Sequence, residues 1–539
     1  MISFGLHWKI GIYDKKAVKK MRVWKRKGAN WDLYKCDLEN RLSDICLMDD
    51  LSKNYEKIIK CMKDAATENI GSKIIVKGGK KKSKPWWNER VSEEHYRRVE
   101  MNRNMRKARR RLERGENGGE VDLERMKSMY EEQKKKVSQV IYEEKLKVEE
   151  QMLKEWKELG PGERERVQWK YMKQQLNGND DEPKVLSMKV NGRVSDEEEE
   201  VKGLMEEYWR KIFTSGLGEQ RVNGLKGGSM NVQYRWIEGM VRITEEELEF
   251  GLRRLKKNKS EDMDGIIGEF LKYGGENLKM MLLRLFNDML LNAWVPEEWL
   301  KSRVKLIYKG GGKSRQEISS YRPIAIVSVL SKLFCSILAK KLKDWQENEG
   351  ILSEEQNGFR EGRSTLDNLY ILRMLVDNVR KKNGSVYVQF LDLEKAFDSV
   401  DRKKLLGRLN DLNVNESMVS VIKSMYEGNF VKLNLGEIES RWIKNNVGVR
   451  QGCTLSPVLF GLFIDELLVR IKSSGIGIRM GERLISCLGF ADDIMIVSEN
   501  GEDLQSLFNV CEKYEQDWKL KFSADKCKIM IFGNGRDEG

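Results

Sequence analysis

Two stretches of strand character a hundred residues apart run into carboxylates, and that placement constrains the chain more than any other feature. Residues 386–391 form a β-rich apolar run ending at Asp392, and residues 484–490 and 494–497 read as two apolar strands separated by Ala491-Asp492-Asp493. An acid at the end of a buried strand is costly unless it is paired or bound to a cation, and two adjacent carboxylates at a turn repel one another. Alone, Ala-Asp-Asp is an ordinary hairpin turn. If the strand ending at Asp392 lies beside that hairpin, three carboxylates converge on one sheet edge. They would then hold two divalent cations about 3.5–4 Å apart, an arrangement suited to in-line attack on phosphorus. The expectation is a nucleotidyl-transfer palm.

Composition removes the competing chemistries. The only histidines are His7 and His95, far from every dense motif, which argues against a Ser-His-Asp hydrolase, a Cys-His protease or a histidine-rich metal centre. Eight cysteines include no C-x-x-C pair and read as reduced core thiols. No run approaches the roughly 20 apolar residues of a membrane span, and residues 1–16 lack the apolar block of a secretory signal. The expected location is therefore intracellular, nuclear or cytoplasmic, without membrane association.

The formal charge of +14 is unevenly placed: residues 73–111 hold fifteen Lys/Arg against four Glu. Clustered cations release counterions from nucleic-acid phosphates; a solvated charged helix is the plainer alternative. Lys80, Lys81, Lys82 and Lys84 stand beside Trp86 and Trp87, which suits phosphate neutralisation plus stacking on bases. The same tryptophans would alternatively dock on a core. Arg109, Arg110 and Arg111 end the basic run. From 91 to 159 the chain has the composition of long charged helices, broken at the glycines 115–119.

Five segments are expected: an N-terminal helical or linker region (1–72, with helices at 37–48 and 51–69), a basic helical nucleic-acid-binding region (73–160), a hairpin, helix and Gly-rich linker (184–240), a catalytic region (241–533) and a tail (534–539). Asn191-Gly192 suits a tight hairpin turn. Thr244-Glu245-Glu246-Glu247 is a capping box opening the catalytic region.

The motifs 390–398 (Phe-Leu-Asp to Phe-Asp), Arg450-Gln451-Gly452-Cys453-Thr454-Leu455-Ser456-Pro457 and Phe490-Ala491-Asp492-Asp493 resemble three central motifs of reverse transcriptases from non-LTR, LINE-type retrotransposons. Lys305 to Lys309 with Tyr321-Arg322-Pro323-Ile324 is similar to the fingers motif, 356–365 (Gln-Asn-Gly-Phe-Arg-Glu-Gly-Arg-Ser-Thr) to the insertion typical of the class, and 520–526 to the late palm motif. Lys259 and Asp264-Gly265-Ile266 resemble an extra N-terminal fingers motif. The likeness spans about 243–532.

The resemblance implies an α+β right-hand fold, with palm and fingers built from antiparallel sheet flanked by helices, and an RNA-directed DNA polymerase. Its substrates would be template RNA, a DNA primer or target, and dNTPs. Asp392, Asp492 and Asp493 would bind two Mg²⁺ or Mn²⁺ ions, and Lys526 would protonate the leaving pyrophosphate. This last motif departs from the family pattern, with Ser523 where Asn is common and Cys527 where Thr is common. Lys309 and Arg322 combine cations with flexible glycines for gripping a triphosphate; otherwise they are a solvated fingers loop. Gln451 would bond template or incoming base, and Gly452 would admit the nucleotide to the backbone. Phe397, five residues after Asp392, would crowd a ribose 2′-hydroxyl and favour DNA synthesis. Arg360 and Arg363 would contact strand phosphates, unless their charge serves structure alone.

The competing expectation is a decayed or truncated retroelement product that only binds nucleic acid. Neither an endonuclease, a zinc knuckle nor a ribonuclease H segment is recognisable, and the thirteen residues after Lys526 leave no room for a thumb. An active chain of this kind would be expected to add few nucleotides per binding event.

Overall fold

The computed structural model describes residues 20–26, 28–45, 48–76, 86–112, 119–158, 187–190, 193–195, 197–214, 242–310, 313–436 and 438–533. The chain divides into two compact units, Met1–Val23 with Lys73–Glu182, and Trp24–Ser72 with Pro183–Gly539.

The first unit contains the expected charged helices, Glu89–Leu112 and Gly119–Glu158, with the glycine-rich break falling between them. They pair through a thin seam of Val91, Val137 and Val140. Because that seam is short of apolar surface, polar contacts complete it: Gln133 donates to Glu94 at 2.6 Å and Asn88 to Glu144 at 2.7 Å. Trp86 lies beneath the Lys145 ammonium, and Trp87 meets His95 edge-on. The two tryptophans therefore dock on this helical pair. Lys80, Lys81, Lys82 and Lys84 lie outside the described residues, as do the side chains of Arg109, Arg110 and Arg111, whose backbone closes the first helix.

In the second unit, helices Trp31–Ser43 and Leu51–Asn69 are capped by Asn30 and Asp50. Their stripes of Tyr34, Leu38, Leu42, Ile58 and Met62 are buried in one core with Phe270 and Phe286. Residues 24–72 thus do not form the separate N-terminal region expected. Their apolar partners lie more than 200 residues away, where helical periodicity cannot point. The hairpin strands Met188–Val190 and Arg193–Ser195 pair antiparallel as expected, although the Asn191-Gly192 turn and residues 215–241 lie outside the described residues. Helix Glu198–Thr214 buries Trp209 and Phe213 in a core with Val431, Leu433 and Ile443. The capping box at Thr244 and Glu247 is formed in both directions.

Beyond residue 300 the chain runs through β1 (Lys301–Tyr308), β2 (Tyr321–Ile326), α1 (Val329–Asn348), α2 (Thr365–Lys381), β3 (Ser385–Leu391), α3 (Glu416–Tyr426), β4 (Phe430–Leu435), β5 (Ile438–Lys444), α4 (Ser456–Ser473), β6 (Cys487–Phe490), β7 (Asp493–Ser498), α5 (Gly501–Trp518) and β8 (Lys528–Gly533). One sheet has the order β2–β1–β4–β5, with β1 and β4 parallel. The other has the order β6–β7–β3–β8 and is antiparallel throughout. Leu375, Val376 and Val379 of α2 cover one face of this second sheet, against Val386, Val388, Leu488 and Val497. Leu391, Ile494 and Ile496 join the larger core with Leu459 of α4 and Leu507 of α5. Covering on both faces is why 386–391 reads as a nearly continuous apolar run. The expected strand 484–490 is two strands, because Arg483–Ile485 pairs with Ile478–Met480 while Cys487–Phe490 pairs with β7.

The architecture is α+β, with two four-stranded sheets flanked by helices. Among the described residues no helix is long and apolar enough to cross a membrane, and the cysteines are unpaired thiols, four of them buried.

Candidate active site

The β6–β7–β3–β8 sheet gathers the three acids. The β7–β3 register pairs Ile494 with Leu391, and one step further sets Asp493 opposite Asp392. Asp492 occupies the turn between β6 and β7, where Ala491 adopts a left-handed φ of 62°. Burial, then Asp492, then Asp392 push the Asp493 carboxyl up, while Lys526 opposes them. Lys526 reaches across from the segment before β8 and places its ammonium 2.5 Å from Asp392. The Asp392 carbonyl accepts from the Ser523 amide at 2.8 Å, which ties that segment to the end of β3.

The turn is held by a residue whose role periodicity does not disclose. Gln356 is fully buried, and its Oε1 accepts from the Ala491 and Gly358 amides at 2.9 and 2.8 Å. Asn357 N–H donates to the Gly489 carbonyl and Gly489 N–H to that of Glu355, so residues 355–358 are laced along β6. At Gly358 a Cβ would lie 2.0 Å from the Ala491 nitrogen. The close approach this glycine permits is to the acid-bearing turn.

Arg360 differs from its expected phosphate-contacting role. It forms a two-pronged pair with Glu347 at 2.9 and 2.7 Å, bonds the Ser353 and Gln356 carbonyls, and is only 6% exposed. Arg363, one-third exposed, pairs with Glu354 and bonds Asn357.

Lys309 donates to the Ser319 carbonyl at 2.6 Å. Burial and then the neighbouring cations Lys313, Arg322, Lys395 and Lys526 hold its ammonium below the usual lysine range. Lys309 therefore feels four other cations, one of which, Lys526, lies on Asp392. Positive charge concentrated in this way is unfavourable until an anion arrives.

Phe397 stacks on Phe460 of α4 at 4.8 Å and meets Phe359 edge-on. Gln451 donates its amide to both Asp398 oxygens at 3.1 Å, leaving its carbonyl oxygen for other partners. Its own main-chain carbonyl accepts from the Ala325 amide of β2. Gly452 has a φ of 107°, and a Cβ there would lie 2.9 Å from the Ala325 carbonyl. In this structure glycine is needed for the contact with β2.

Asp398 is a feature that sequence reasoning missed. It shares a cavity of about 30 Å³ with Val304, Val431, Val447 and Val449. Desolvation pushes its carboxyl up to about 7, against the pull of Lys395, Lys309 and Gln451. A raised carboxyl pKa means that Asp398 adds stability fully present below its unfolded value near 3.8 and lost as pH rises through about 7. The stability of wild type relative to Asp398→Asn is expected to fall by at most about 1.4 kcal/mol per pH unit from pH 4 to 7. Denaturant melts of both proteins across that range check it; parallel curves would mean that folding leaves the Asp398 carboxyl unshifted.

Residues 307–536 match the family described as reverse transcriptase (RNA-dependent DNA polymerase). The chain is 32% identical over 246 residues to the retrovirus-related Pol polyprotein from type-1 retrotransposable element R2 of Nasonia vitripennis, covering 46% of this chain and 23% of that one. It is 29% identical over 325 residues to the type-2 element R2DM polyprotein of Drosophila melanogaster, covering 60% and 29%. With the RNA-directed DNA polymerase from mobile element jockey of Drosophila funebris it shares 25% over 301 residues, covering 54% and 32%. Among solved structures, apo telomerase from Candida tropicalis truncated from its C-terminal domain is similar at 15% identity and a TM-score of 0.34, covering 46% and 52%. The chain spans between about a quarter and a third of the length of these curated relatives. Over residues 307–536 the chain is similar to reverse transcriptases, and these curated relatives come from retrotransposable and mobile elements.

That family implies dependence on a divalent metal ion. Among the described residues no three His, Cys, Asp or Glu side chains form a ready cage. The donors nevertheless fit: carboxylate oxygens suit a hard cation, and Mg²⁺ is commonly held by one or two carboxylates together with substrate phosphates. The Lys526 ammonium on Asp392 shows that this edge accepts positive charge.

Proposed function

We propose that the chain is an RNA-directed DNA polymerase that copies template RNA by joining dNTPs to a primer 3′-hydroxyl. The observation that carries this reading is the meeting of Asp392 with the Asp492-Asp493 turn beside the Lys309, Lys313, Arg322, Lys395 and Lys526 cations. Two Mg²⁺ or Mn²⁺ ions would be held by Asp392, Asp492 and Asp493, and when bound they supply an activated hydroxyl and neutralised phosphate charge. Residues 241–533 act as fingers and palm.

The chain's own groups divide the remaining work. Lys309 and Arg322 grip the triphosphate, Arg322 with its planar fork. Gln451 offers its carbonyl oxygen to the template or the incoming base, with Gly452 beside it. Lys526 leaves Asp392 and gives its proton to the departing pyrophosphate. The basic segment 73–111 anchors template RNA, with Lys80, Lys81, Lys82, Lys84, Arg109, Arg110 and Arg111 neutralising phosphates. Trp86 and Trp87 serve that segment from their docked positions.

Phe397 supports a DNA product. Its ring is pinned by Phe460, so a 2′-hydroxyl meets a wall that does not swing away. Primer extension on a template RNA with Mg²⁺ or Mn²⁺ tests the whole reading, and dNTP-dependent extension is expected. Phe397→Ala should raise ribonucleotide over deoxyribonucleotide incorporation by about tenfold or more. An unchanged ratio would leave Phe397 as packing. RNA binding without extension in either metal would favour a binding protein.

A further inference from the structure

The residues flanking the site contain a buried cation that the proposed mechanism does not use. Arg402 follows Phe397 by five positions and precedes the loop 445–452 by more than forty. Its Nε donates to the Gly448 carbonyl at 2.8 Å, its Nη1 to those of Tyr426 and Asn445 at 2.9 and 2.7 Å, and its Nη2 to that of Val447 at 3.1 Å. Four main-chain oxygens thus surround one guanidinium, and the Tyr426 ring lies 5.1 Å from its centre. Among the described residues it forms no ion pair with a carboxylate. Tyr426 is the last residue of α3, so the charge also meets the negative end of a helix dipole. Although Arg402 keeps some solvent contact, desolvation lowers its guanidinium to about 10, and it stays charged at neutral pH.

A second set of contacts makes the arrangement more than a buried charge. Gly448 N–H donates to the Val400 carbonyl at 2.9 Å and Val449 N–H to the Phe397 carbonyl at 2.8 Å. Gly448 has a φ of 81°, and a Cβ there would lie 2.8 Å from Asp398 Cα. The loop 445–449 is therefore sewn edge to edge onto 397–400. Its continuation carries Gln451, whose amide returns to Asp398. Two segments far apart in sequence, one bearing the Phe397 ring and the other Gln451 and Gly452, are fixed as one piece.

We infer that Arg402 is a positioning residue for nucleotide selection: its guanidinium binds the carbonyls of 445, 447 and 448 and sets the distance between Phe397 and Gln451. This rests on the polymerase reading for its functional consequence, though not for its structural one. A planar fork with five donors can serve four oxygens in different directions. A lysine offers three donors at a single point and cannot. The loop in Arg402→Lys should stay charged-compensated and attached to α3, yet lose its bonds to 447 and 448.

The test has two readouts. Hydrogen exchange of the full chain reports the loop directly: the Gly448 and Val449 amides in Arg402→Lys should exchange about tenfold or more faster, with β3 and β7 amides unchanged. Single-nucleotide incorporation should show KM for the dNTP raised by about tenfold or more, with kcat changed far less and template affinity preserved. Unchanged protection at 448 and 449, or an unchanged KM in an extending enzyme, overturns the inference. If β3 and β7 also lose protection, Arg402→Ala with added guanidinium ion decides: recovery of loop protection relative to sodium chloride supports the assignment, and no recovery refutes it. Should wild type itself fail to extend a primer, the polymerase reading falls while the exchange measurement still judges the role of Arg402.

Discussion

Asp492→Asn is expected to reduce primer extension by about a thousandfold or more, since charge stabilisation at a reacting phosphate is among the largest single contributions to such catalysis. The substitution removes one of three acids while leaving the turn's backbone, the Gln356 bonds to Ala491 and the basic segment in place. RNA affinity should therefore stay within about twofold of wild type. Thermal stability should hold or rise slightly, because Asp492 is one of the two charges that raise the Asp493 carboxyl. Single-turnover extension and filter binding on the same preparation check this. Undiminished extension would remove Asp492 from the catalytic set, and a matching loss of RNA binding would point to misfolding.

Gly358→Ala is the second large effect, and nothing about it involves an ionisable group. The added methyl would sit 2.0 Å from the Ala491 nitrogen, 2.7 Å from its Cα and 2.9 Å from the Gln356 amide oxygen. Two of those three atoms are backbone, so no side-chain rotation relieves the overlap. Either the acid-bearing turn moves or the segment 355–358 leaves β6. A displacement of about 1 Å at reacting groups can cost about a hundredfold in rate, and overpacking of this kind costs about 1–3 kcal/mol of stability. Extension should fall by about a hundredfold or more, with a melting temperature several degrees lower. If activity survives, the lacing of 355–358 along β6 is not what holds Asp492 and Asp493 in place.

Much of the candidate site is legible in the sequence. Asp392 and the Asp492-Asp493 pair announce themselves because an acid beside an apolar strand run has few structural uses, and the register brings them together as that logic requires. Lys526 was legible only through the resemblance, yet it lies against Asp392. Arg360 illustrates the opposite outcome. Its sequence setting among glycines reads as a strand-contacting cation, but Glu347 lies thirteen residues upstream on α1, and the pair consumes the guanidinium. Charge in a sequence carries no record of its partner.

Local chemistry by itself determined the elements that depend on neighbours: the two charged helices and their glycine break, the capping box at Thr244, the strand run up to Asp392 and the acid turn. Their physical causes act within a few residues, through helical period, capping and turn geometry, so they are written in consecutive letters. Tertiary structure decided the rest. Only folding joins residues 24–72 to the core around Phe270 and Phe286, sets Gly358 against Ala491, aims Gln451 at Asp398 and surrounds Arg402 with four carbonyls. Those contacts depend on main-chain atoms that every residue possesses, brought together by the burial of distant apolar faces. No residue type in the sequence marks where a backbone carbonyl will point.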